Sequence, residues 1–286
     1  MLMIVDVPVE VSRRINWAFF FILSAVTVLA WVATLSPKMG SAMMVDLDAL
    51  SVNQASNYVV AWGVMMAAMM LPSAMPMILL YGILRQKQAK LGQKGLSPFI
   101  FALVYIIVWL ATGIPIYLVN VSIGLLERAY TAFSAAAPYL LGASFVLAGL
   151  FQFSDFKKKC LKVCQTPFQF LMGHWYTGYT GSLRLSFEHA LYCVGCCWAL
   201  MGIMALLGSM SLRWLLLITV AVFIEKIMPR GQWYANSIGV VLIALGLVIG
   251  FRPDLISIIQ GPPMPMEHAQ SSLTIPLCAP DAPKLK

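Results

Sequence analysis

Apolar residues come in long unbroken runs along this chain, and polar residues gather in the short stretches between them. The runs fall at roughly 15–35, 59–83, 98–121, 138–153, 188–209, 213–228 and 234–251, with Ala132 to Ala137 available to lengthen the fourth. Most approach the ~20 residues with which a helix spans a bilayer. None alternates apolar and polar positions with period two, and a backbone in hydrocarbon must satisfy its own hydrogen bonds, so the pattern predicts helices and not a barrel. The expected fold is all-α, a polytopic transmembrane helix bundle of about seven spans over residues 1–260. From Gly261 the chain turns Pro-rich and reads as a flexible tail over 261–286.

The first run follows Arg13 and Arg14, as the core of a signal peptide would. It is longer than such a core and no A-x-A site ends it, so the expectation is an uncleaved anchor. Composition agrees with a membrane bundle. With 60% hydrophobic and 10% charged residues among 286, the chain lacks the polar surface of a soluble domain, which is about one quarter charged. The net charge of +8 sorts by loop. The N-terminus, the loops at 84–97 and 154–187 and the turn at 226–233 hold thirteen Lys and Arg, against six on the opposite side. The positive-inside rule then puts the N-terminus in the cytoplasm, and an odd span count leaves the C-terminus outside. Basic loops facing an anionic leaflet account for the charge without a nucleic-acid partner.

Candidate chemistry concentrates between Glu188 and Met204. On a helix at about 100° per residue, His189, Cys193, Cys196, Cys197, Met201 and Met204 share one face, and Trp198 lies opposite. Thiolates and thioethers are soft donors that favour Cu(I), whereas zinc gains little from thioether sulfur. Packing explains a single cysteine easily. Three within five residues, a turn after a histidine, point to metal or redox chemistry. Cys193 and Cys196 form a C-x-x-C and keep a thiol–disulfide couple open. The cytoplasmic placement and the extra donors His189 and Cys197 favour metal.

Two further stretches offer soft donors. Cys160 and Cys164 sit one turn apart in a Lys-rich segment before Pro167, where an interfacial helix is expected and neighbouring lysines should favour the thiolate. Met65/Met69 and Met66/Met70 form i, i+4 thioether pairs in a run that Pro72 and Pro76 should kink. Small Gly and Ala residues beside these methionines permit close helix approach. Glu225 and Lys226 end the sixth run, where snorkelling to the interface accounts for both. Met264, Met266, His268 and Cys278 place soft donors on the tail. There is no Walker A loop, aspartyl-phosphate signature or Ser/His/Asp grouping, so the chain reads as no enzyme.

These motifs resemble a bacterial family of metal-binding integral membrane proteins. The resemblance rests on Met65-Met66-Ala67-Ala68-Met69-Met70-Leu71-Pro72, on Cys160-x-x-x-Cys164 before Pro167, and on His189-x-x-x-Cys193-x-Gly195-Cys196-Cys197-Trp198-x-Leu200-Met201. It continues through Glu225-Lys226 and covers roughly residues 59–250, with the Cys-Cys-Trp block its most specific part. Some members look like membrane copper chaperones that help load tyrosinase-type copper oxidases. The resemblance implies a bacterial cytoplasmic-membrane protein that delivers copper to a client oxidase.

The resulting expectation is a membrane Cu(I)-binding protein. Its main site would be His189, Cys193, Cys196 and Cys197, with Cys160 and Cys164 as donor or acceptor and Met65, Met69, Met201 and Met204 as secondary steps. A membrane thiol–disulfide oxidoreductase and a metal-free assembly subunit remain the alternatives.

Overall fold

Several helices in this chain begin where a side-chain oxygen or a proline follows a polar break. In the computed structural model, which describes residues 9–206 and 212–252, these residues form helices and no strand. They are α1 (Val9–Thr34), α2 (Pro37–Ala42), α3 (Val52–Lys90), α4 (Pro98–Ala111), α5 (Gly113–Ala129) and α6 (Thr131–Gln152). There follow α7 (Asp155–Gln165), α8 (Pro167–Gly173), α9 (Gly178–Leu206), α10 (Leu212–Ile227) and α11 (Gly231–Phe251). Ser51, Ser97 and Ser154 cap α3, α4 and α7, each accepting from the backbone N–H three residues on. Pro98 and Pro167 occupy first-turn positions, where a missing N–H costs nothing.

Among the described residues, six helical stretches are long and apolar enough to cross a membrane, against the seven runs expected: Trp17–Thr34, Val52–Lys90, Pro98–Ala129, Ala135–Gln152, Gly178–Leu206 and Gly231–Phe251. The difference lies at α10, whose 16 residues fall short of a full span by length. Elsewhere the helices outrun the apolar windows. α9 starts at Gly178 and not near 188, and within the added polar stretch Arg184 and Glu188 pair at 2.7 Å one turn apart. The third run, expected to end near 121, continues to Ala129 and restarts at Thr112, whose hydroxyl accepts from the Trp62 indole N–H at 3.0 Å. The fourth run does extend back through Ala132–Ala137. The Pro-rich segment from Gly261 lies outside the described residues.

α3 and α9 form the buried centre. α3 packs against α1, α4, α5 and α10, and α9 against α4 and α7. The helix of α3 is unbroken through Pro72 and Pro76. Its 39 residues give about 58 Å of length, far beyond the ~30 Å of bilayer hydrocarbon. α6 and α11 run antiparallel in close contact, because glycines face glycines. A β-carbon at Gly142 would stand 2.8 Å from the Gly246 carbonyl, and one at Gly149 2.7 Å from that of Gly239. At the end of α10, Glu225 meets α7, so α10 brings the chain back to the end of the bundle that α7 covers.

Candidate metal centre

The face expected on α9 is the face that packs inward. His189, Cys193, Cys196, Cys197, Met201 and Met204 are all buried, while Trp198 on the opposite side is 53% exposed. The helical repeat alone explains this, since spacings of three and four stack side chains over successive turns. Within the face, the Cys196 and Cys197 sulfurs lie 3.3 Å apart, and the Cys196 thiol donates to the Cys193 carbonyl at 3.2 Å.

α7 adds one more thiol and withholds another. Cys164 Sγ lies 3.9 Å from Cys196 Sγ, which joins the two cysteine segments across 32 residues. Cys160, one turn earlier, turns elsewhere: its sulfur stands 3.0 Å from where a β-carbon of Gly195 would be, and it makes no thiol contact there. Of the two cysteines expected as donor or acceptor, Cys164 comes to the other sulfurs and Cys160 lies where α7 packs on Gly195 of α9. Hydrogen bonding to Cys193, together with burial, holds the Cys164 thiol well above its ordinary range, and burial pushes Cys160 up.

Lys226 completes the cluster from α10. Its ammonium donates to Cys193 Sγ at 2.7 Å and to Ser73 Oγ at 3.3 Å, with Met70 Sδ at 3.8 Å. The Tyr105 hydroxyl lies 2.9 Å from the same Cys193 sulfur. Snorkelling therefore does not describe Glu225 and Lys226. Both are buried, and Glu225 pairs with Lys157 at 2.7 Å while Lys226 points into the thiols. A charge bordering an apolar run was the sequence signal; what it lacked was a partner, which only packing supplies. Ser73 and Tyr105 carried no signal at all.

A cavity of about 150 Å³ opens beside these groups, lined by Ser73 and Met77 of α3, Cys164 and Gln165 of α7, and His189, Cys193 and Lys226. Residues 59–249 match the family model described as "PpoB2: Copper chaperone". The chain belongs to this family. No curated protein and no solved structure matches it.

In this copper-chaperone family member the matched segment runs from within α3 into α11, so it contains every donor named on α3, α7 and α9. The role that the family's description carries is a chaperone's and not an enzyme's. The donors suit a soft cargo ion. Sulfur dominates the cluster, and both ring nitrogens of buried His189 lack a hydrogen-bond partner. Among the described residues, however, no three His, Cys, Asp or Glu side chains converge as a ready-made metal cage.

Met65, Met69, Met201 and Met204 are buried, but none lines the cavity. The α3 face turned to the site runs Met70, Ser73, Met77, at helical spacing, and Met69 and Met65 lie about one and two turns before Ser73 along the helix. On α9, Met201 and Met204 follow Cys197 by about 6 and 10 Å along the axis.

Proposed function

We propose that this chain is a membrane-embedded carrier that takes up Cu(I) on its sulfur cluster and presents it to a client copper oxidase. Cys193, Cys196, Cys197 and Cys164 are the principal donors, His189 is a further donor from the cavity wall, and Cys160 serves packing. The observation that carries this reading is the meeting of Cys164 and Cys196 at 3.9 Å, beside Cys197 at 3.3 Å from Cys196, next to an open cavity. Sulfur donors on two separate helices that are not locked into a closed cage suit an ion that must be handed on, since transfer proceeds by ligand exchange. Family membership supports the chaperone role. In this reading α10 is a seventh crossing, and the chain sits in a bacterial cytoplasmic membrane with its N-terminus and the α7 end inside. The excess of Lys and Arg in the loops of that end supports the orientation.

The test is metal content of the purified chain by elemental analysis, with thiol titration of the same sample. Stoichiometric copper with protected thiols is expected, and Cys193→Ser/Cys197→Ser should insert normally but lose the copper. Equal copper in that variant overturns the assignment. The 3.9 Å approach of Cys164 to Cys196 also favours a second reading, a thiol–disulfide couple. A disulfide trapped between these two in a chain that takes up no Cu(I) would select it.

A further inference from the structure

Lys226 brings a positive charge to the thiols without an acid to cancel it. Glu225, its neighbour in sequence, is held by Lys157 at 2.7 Å, and among the described residues Lys226 forms no ion pair with a carboxylate. Its three donors are directed to Cys193 Sγ, Ser73 Oγ and Met70 Sδ, which fixes the ammonium against the cluster from three sides. Only 5% of the residue is exposed, so water contributes little to balancing it. The counter-charge has to come from sulfur.

Resting on the carrier reading above, we propose that Lys226 is the specificity-determining counter-ion of the site, matching it to a monovalent soft cation. A monovalent ion held by two of the four cysteines as thiolates, the other two staying protonated as Cys196 is when it donates to the Cys193 carbonyl, leaves one negative charge, which the ammonium cancels. A divalent ion on the same pair is already neutral, and Lys226 would then stand as an uncompensated charge in a buried site. Such a charge is expensive away from water. Charge balance thus discriminates where sulfur alone does not, because zinc also accepts thiolates. The same contact eases release: when the cation leaves, the ammonium already stands at hydrogen-bond distance from Cys193 Sγ, and the second thiolate takes one proton from water.

The full-length chain in detergent decides this, by chelator competition for Cu(I), Ag(I) and Zn(II) in wild type, Lys226→Met and Lys226→Arg. Lys226→Met keeps the length of the side chain and removes its charge. It should weaken both monovalent ions by about 10–100-fold, as loss of a supporting contact to a metal ligand does, while Zn(II) is not weakened. Lys226→Arg should keep the wild-type ratio of monovalent to divalent affinity. A parallel loss for all three ions in Lys226→Met, leaving the ratio unchanged, would mean a merely structural lysine and overturn the proposal. If Lys226→Met does not fold, Lys226→Gln is read by the same ratio. A wild-type chain that binds neither Cu(I) nor Ag(I) overturns the carrier reading itself, and this inference with it.

Discussion

The Lys157 ammonium donates to a Glu225 carboxylate oxygen across 2.7 Å, and neither side chain meets solvent. The pair joins α7 to α10, and Gln165 adds a hydrogen bond to the Glu225 carbonyl at 2.6 Å. Removing one partner strands a buried charge, at a cost of about 3–5 kcal/mol, whereas replacing both with apolar residues is often neutral. Glu225→Gln and Lys157→Met should each destabilise the chain strongly in thermal unfolding, and Lys157→Met/Glu225→Met should recover most of the loss. Additive losses in the double variant would show that the two side chains act independently.

Cys160 and Cys164 should behave oppositely, although both lie on α7. Cys164→Ser removes a sulfur 3.9 Å from Cys196 and should lower Cu(I) affinity. Cys160→Ala removes a sulfur packed over Gly195 and should leave copper uptake unchanged, with a modest loss of stability from lost packing. Competition titration of the two variants checks both halves.

Gly195 tests the geometry without touching a donor. A β-carbon there would already stand 3.0 Å from Cys160 Sγ and 3.3 Å from the Phe156 ring. Gly195→Leu should lift α7 from α9, separate Cys164 from Cys196 and weaken Cu(I) binding with all thiols still present. The rate at which Cys164 is alkylated should rise in parallel.

His189 gives a prediction with two signs. Its ring lies among Phe101, Tyr105 and Phe170 at 5.8–6.1 Å, and its nitrogens have no partner. Unmatched buried polar groups cost about 1–3 kcal/mol each. His189→Phe should therefore leave the metal-free chain at least as stable as wild type, while copper affinity falls. Undiminished affinity would assign His189 to packing alone.

The glycine contact between α6 and α11 should be as sensitive as any site residue. Gly149→Leu or Gly246→Leu would drive a side chain into the facing backbone, where overpacking costs about 1–3 kcal/mol or more. Gly202→Ala, on α9 with nothing within 4 Å of its β-position, should be tolerated. Melting temperatures of the three variants in one detergent give the comparison.

Helix identity and the inward face of α9 followed from the sequence alone, because both rest on local properties. Apolar runs of membrane length leave the backbone no alternative to the helix, and a repeat of 3.6 residues decides which side chains share a face. That was enough to put His189, Cys193, Cys196 and Cys197 on one buried stripe opposite Trp198. Helix ends were less legible, since α9 runs back from its apolar window through a polar stretch to Gly178, which hydropathy does not register. What tertiary structure decided is which distant elements meet. Cys160 and Cys164 are equivalent in sequence, yet the crossing of α7 over α9 at Gly195 sends one to the packing and the other to the thiols. Likewise, Glu225 and Lys226 are adjacent charges that a linear reading sends to the interface. Their separate fates, one toward Lys157 and one toward Cys193, depend on partners 68 and 33 residues away. Burial of a charge is set by what packs around it, and no local pattern in the chain encodes that.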